Sequence, residues 1–172
     1  MNKLVALFLA LICVLALAGC SAQEPGSNLT AVPDDFSFAL TWNCFGVSSY
    51  DSQTGKLVKT TDAANPDDYV TDYQLTDEDR AYIYDLLVSL DANAYPDVYD
   101  PKSGLSKPSM TLILTVRVNG TEKTIRAEDI ALSFMSEDEQ GQRFLSVCEA
   151  IRNRLTATEG WKALPAYEEL YE

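Results

Sequence analysis

Met110-Thr111-Leu112-Ile113-Leu114-Thr115-Val116-Arg117-Val118-Asn119-Gly120-Thr121-Glu122-Lys123-Thr124-Ile125 is a pair of alternating segments joined by a two-residue turn. Met110, Leu112, Leu114, Val116 and Val118 recur with period two, which places them on one face of a strand. Asn119-Gly120 is the strongest short hairpin signal, because both central residues of a type I′ turn need positive φ. That turn sets the register. Val118 opposes Thr121, Arg117 opposes Glu122, Val116 opposes Lys123 and Leu114 opposes Ile125, so an ion pair falls on one face and aliphatics on the other.

Upstream, Phe36, Phe38, Leu40, Trp42 and Cys44 alternate with polar or small residues and predict a half-buried strand. Gly46 interrupts the alternation and predicts a bulge or bend within it. Turn chemistry over residues 50–55 precedes a second strand, Lys56-Leu57-Val58-Lys59-Thr60, which completes a first hairpin. Residues 61–74 lack a period and predict a connection. Thr76 then reads as an N-cap, followed by Asp77, Glu78 and Asp79 where the helix dipole favours negative charge. Ile83, Leu86, Leu87 and Leu90 form the apolar stripe of that helix, closed by Tyr95-Pro96.

Downstream of the Asn119-Gly120 hairpin, Ser136-Glu137-Asp138-Glu139 has the form of a capping box. Phe144, Val147, Cys148, Ile151 and Leu155 supply the stripe of a second helix, ended by Thr158-Glu159-Gly160. Residues 161–172 read as a tail with one helical turn around Tyr167. The order ββαββα predicts an α+β fold: an antiparallel sheet of about four strands in two hairpins, with two helices on one face. Residues 36–172 form one domain on this reading.

The first residues read differently. Met1, Asn2 and Lys3 precede an unbroken apolar run over residues 4–18, too short for a comfortable membrane span, and Gly19-Cys20 follows at once. Leu17-Ala18-Gly19-Cys20 resembles the lipobox of bacterial lipoproteins. The resemblance implies a signal peptide over residues 1–19 and acyl chains on Cys20, each buried CH₂ contributing about 0.8 kcal/mol to membrane attachment. Residues 20–35, rich in Ser, Pro, Gly and Asp, read as the lipidated Cys and a flexible tether. The implied location is the extracytoplasmic face of a cell membrane, reached through the lipid on Cys20.

Composition narrows the chemistry. The 172 residues include no His, 13 basic against 26 acidic residues, and a net charge of −13. Absence of His removes serine triads, Cys-His dyads and His-metal hydrolases. The negative charge repels phosphate backbones, so nucleic acid is excluded as an expected partner. Of four Cys, Cys13 leaves with the signal and Cys20 carries lipid, which leaves Cys44 and Cys148 as a candidate core disulfide or two buried thiols. The acids Asp62, Asp67, Asp68, Asp72, Asp77, Glu78 and Asp79 crowd one segment, but the EF-hand pattern is absent and a solvated loop explains them. No metal or cofactor is expected.

Nine Tyr stand above background. Tyr69, Tyr73, Tyr95 and Tyr99 fall in irregular segments, where rings can stack on sugars or anchor a protein contact, and form the expected binding surface. Residues 49–57, Tyr95-Pro96 and Trp161-Lys162-Ala163-Leu164-Pro165 resemble uncharacterised surface lipoproteins of Gram-positive gut bacteria, a likeness that implies location and no site. The expected function is that of a tethered, non-catalytic binding domain for an unknown protein or glycan ligand. Two rivals are a carboxylate-dependent glycan or cell-wall enzyme and an inhibitor of a secreted hydrolase.

Overall fold

A computed structural model describes residues 31–43, 47–60 and 68–166. Six strands form one antiparallel sheet: β1 (Ser37–Asn43), β2 (Val47–Asp51), β3 (Lys56–Thr60), β4 (Asp68–Asp72), β5 (Met110–Val118) and β6 (Thr121–Ile130), in the order β4-β3-β2-β1-β5-β6. Among the described residues three α-helices accompany it: α1 (Asp77–Leu90), α2 (Glu139–Thr156) and the short α3 (Glu159–Ala163). The α+β class holds, with six strands in place of four.

The two extra strands have physical causes. Asn43 is paired with Val47, so the segment read as one bulged strand is two antiparallel strands, β1 and β2. Within residues 61–74, read as a connection, Asp68–Asp72 pairs along β3 with Lys59 opposite Tyr69. Asp at both ends masked that strand, yet β4 is a sheet edge, where flanking charges discourage further pairing.

The second hairpin follows its turn. Asn119 and Gly120 have φ of 53° and 69°, and Arg117 lies opposite Glu122 with an Nε to carboxylate distance of 2.5 Å. Phe38, Leu40, Leu112, Leu114, Ile125 and Ala127 line the inner face and are fully buried with Ile83 of α1 and Phe144, Leu145, Cys148 and Ile151 of α2. Helices and sheet share one apolar interior, as the stripes require.

Helix ends depart from the sequence reading. Thr76 caps α1 as expected, accepting from Asp79 N–H at 3.1 Å, but the helix stops at Leu90, where Asp91 turns left-handed with φ of 51°. Asp138, not Ser136, caps α2, accepting from Gly141 N–H at 2.6 Å. The Ser136 hydroxyl is engaged elsewhere, donating to the Pro101 carbonyl. Thr158 starts α3 instead of closing the chain's last helix, accepting from Trp161 N–H at 3.2 Å. Tyr167 lies outside the described residues. Trp161 of α3 meets Trp42 at 5.6 Å and covers Lys59, a buried lysine whose ammonium donates to the Pro165 carbonyl at 2.6 Å. Burial lowers the Lys59 pKa.

Tyr50 gives the core a measurable signature. Its ring is fully buried, its hydroxyl donates to the Tyr73 carbonyl at 3.1 Å, and burial pushes the phenol up to about 12. The folded state therefore disfavours phenolate. An unfolded tyrosine ionises near pH 10, so stability is intact below that pH and falls as pH rises through the folded value, by roughly 2–3 kcal/mol for a shift of this size. Urea midpoints measured between pH 9 and pH 12 should decline, and Tyr50→Phe should decline less steeply. Equal slopes in the two proteins would refute the assignment.

Candidate functional site

After α1 the chain makes a 3₁₀ turn over Ala92–Ala94 and sinks Tyr95 into the interior, 3% exposed. The Tyr95 hydroxyl donates to the Gln140 carbonyl at 3.2 Å, and its ring meets Tyr99 edge-on at 5.0 Å. Phe144 completes the cluster at 5.7 Å from Tyr95 and 5.5 Å from Tyr99. Val98 then bridges to Arg126 beside β6, with Tyr99 N–H donating to the Arg126 carbonyl at 2.9 Å and Arg126 N–H to the Asp97 carbonyl at 2.8 Å.

There Val98, Tyr99, Asp100 and residues 102–105 form one wall of a cleft of about 570 Å³, and Glu128 and Asp129 near the end of β6, with Glu137, form the other. The walls are tied together. Glu137 N–H donates to the Lys102 carbonyl at 3.1 Å, Ala131 N–H to Ser103 Oγ at 3.0 Å, and Leu132 N–H to Ser106 Oγ at 3.3 Å. Lys102, Asp129 and Phe134 hold positive φ of 54°, 56° and 53°. Non-glycine residues pay for that conformation, and the surrounding hydrogen bonds hold it in place.

Tyr99 and the carboxylates Asp100, Glu128, Asp129 and Glu137 line the cleft, with Lys102 as the only basic lining residue among those described. Lys102 is already occupied. Its ammonium and backbone N–H both bond to Asp100, which holds the Asp100 carboxyl below its ordinary range and the Lys102 ammonium above its own. Glu128 accepts from Arg126 Nε at 2.7 Å, and Asp129 accepts from the Ser109 hydroxyl at 3.3 Å. Burial pushes the Tyr99 phenol up to about 12, with Asp138, Tyr95 and Asp100 adding to the rise. Leu105 and Val98 line it as well, exposed at 96% and 75%. Exposed aliphatics gathered on one end of a small domain mark an interaction surface better than scattered ones do. The sequence reading missed this site, although Pro101, Gly104 and Pro108 around an exposed Leu105 were its signal.

The four expected contact tyrosines do not form one surface. Tyr95 belongs to the core, and Tyr99 joins it while reaching the cleft. Tyr69 sits on β4, at the opposite edge of the sheet from β6, and the Tyr73 ring lies against Gly160. Tyr95 is withdrawn from the contact surface because its ring fills the space beside Phe144.

Cys148 is a free thiol, fully buried, and burial pushes its pKa well above the ordinary thiol value, which disfavours the thiolate. Cys44, its expected partner, and Cys20 lie outside the described residues. Asp79 is used structurally, bonded by Arg154 of α2 and by the Thr76 hydroxyl. Asp62 and Asp67 lie outside the described residues, and among those described no group of three or more acidic or Cys side chains is placed to hold a metal ion. A smaller groove of about 220 Å³, lined by Phe36, Tyr84, Val88 and Val118, lies between the end of α1 and the Asn119-Gly120 turn. No protein-family model matches the chain, and no curated protein matches it at a significant level.

Proposed function

We propose that the chain is an extracytoplasmic lipoprotein, held on the membrane through Cys20, whose domain is a non-catalytic binding module with its contact surface at the Tyr99 cleft. The observation that carries this reading is the placement of the cleft relative to the start of the domain. Asp35 accepts a hydrogen bond from Gly120 N–H at 2.8 Å, so the described chain enters beside the Asn119-Gly120 turn. The cleft lies at the other end of β5 and β6, beyond Met110 and Ile130. The nine residues of β5 separate the two ends by roughly 30 Å at about 3.3 Å per residue. A lipid on Cys20 thus presents the cleft away from the bilayer, toward soluble or wall-bound partners.

Two measurements test the reading. Fatty-acid labelling and detergent-phase partitioning should follow the wild-type chain and be lost in Cys20→Ser; labelling that survives the substitution refutes the anchor. The Cys20→Ser chain should show no turnover of cell-wall glycan, ester or peptide substrates. Turnover abolished by a single Asp or Glu substitution in the cleft would establish the enzyme instead.

A further inference from the structure

We infer that the cleft takes a basic polypeptide segment that also carries aliphatic side chains, an inference that rests on the cleft being the binding surface. Charge sets the first requirement. Lys102 is committed to Asp100 and Arg126 to Glu128, so the remaining lining carboxylates Asp129 and Glu137 leave the site negative within a chain of net charge −13. Anionic glycans and phosphate-bearing ligands are repelled, and a cationic partner is steered inward.

The rim sets the second requirement. Leu105 and Val98 stand 96% and 75% exposed on one wall. A small amine neutralises carboxylates but leaves these side chains in water. A polypeptide with alternating basic and aliphatic residues covers both features at once, because the apolar contacts supply affinity and the charges supply selection. The hydrogen bonds between the walls add a third support, since little loop ordering is left to oppose binding.

The test uses the full chain in neutral detergent micelles and a fluorescently labelled peptide of alternating Lys and Leu residues, titrated by anisotropy. Saturable one-to-one binding should weaken with salt. It should weaken about tenfold in Asp129→Asn/Glu137→Gln and about tenfold in Val98→Ser/Leu105→Ser. Val88→Ser, in the smaller groove, should leave binding unchanged. A Glu-Leu peptide should not bind, and spermine should displace the Lys-Leu peptide no further than sodium chloride of equal ionic strength does. Equal binding of the Glu-Leu peptide, full displacement by stoichiometric spermine, insensitivity to both cleft variants, or absence of saturable binding each overturns the ligand class. None of these touches the non-catalytic reading, which only turnover overturns. Far-ultraviolet circular dichroism of each variant keeps loss of binding distinct from loss of fold.

Discussion

Phe144→Ala should lower the unfolding free energy by about 3–5 kcal/mol, the range for truncating a fully buried aromatic ring. Phe144 is inaccessible to solvent and touches both Tyr95 and Tyr99. Removing its ring opens a void that those two side chains cannot fill without leaving their own contacts, because Tyr95 is held by the Gln140 carbonyl and the Val98–Arg126 bridge fixes the backbone next to Tyr99. Urea unfolding followed by circular dichroism measures the loss. Phe144→Leu should recover roughly half of it, since Leu refills part of the volume. A loss below about 1 kcal/mol in Phe144→Ala would show that the aromatic cluster does not hold Tyr99 in place.

The hairpin was legible because two independent signals agreed: alternation over residues 110–118 and a turn pair whose φ values admit one geometry. Where the sequence carried one signal, the reading slipped. Gly46 ended the alternation begun at Phe36, and a single Gly marks a bulge as readily as a reversal; β2 became visible only through its partners, Tyr50 opposite Leu40 and Leu57. Ser136 and Asp138 competed for the same cap, and local spacing favoured Ser136. The carbonyl of Pro101, far away in sequence, took the Ser136 hydroxyl and left Asp138 to cap the helix.

The site was less legible than the fold for the same reason. Tyrosines in irregular segments were read as exposed, but irregular backbone is compatible with a buried ring when a neighbour offers an acceptor, as Gln140 does for Tyr95. Tyr99 reaches the cleft because the edge of β6 holds residues 97–99 in a parallel bridge, a long-range pairing that no local pattern announces. Its acidic neighbours come from three separate segments, residues 98–105, Glu128 with Asp129, and Glu137. Only the fold assembles them.

Gly141→Ala should cost roughly 3 kcal/mol and unseat one wall of the cleft, although Ala is ordinarily the better helix former by about 1 kcal/mol. Gly141 is a position of close approach: a Cβ there would overlap the Pro101 carbonyl oxygen and Ser136 Oγ, and the Pro101 carbonyl is backbone that no rotamer change can move. Relief requires residues 100–102 to retreat from the start of α2, which breaks the Ser136 to Pro101 bond and the Glu137 to Lys102 bond together. The variant should therefore unfold at lower urea, exchange the amide hydrogens of residues 102 and 137 faster than wild type, and bind the Lys-Leu peptide more weakly. Gain of stability, the result expected of Gly→Ala in an unconstrained helix, would mean that Pro101 does not pack against α2 and that the cleft lacks the wall described for it.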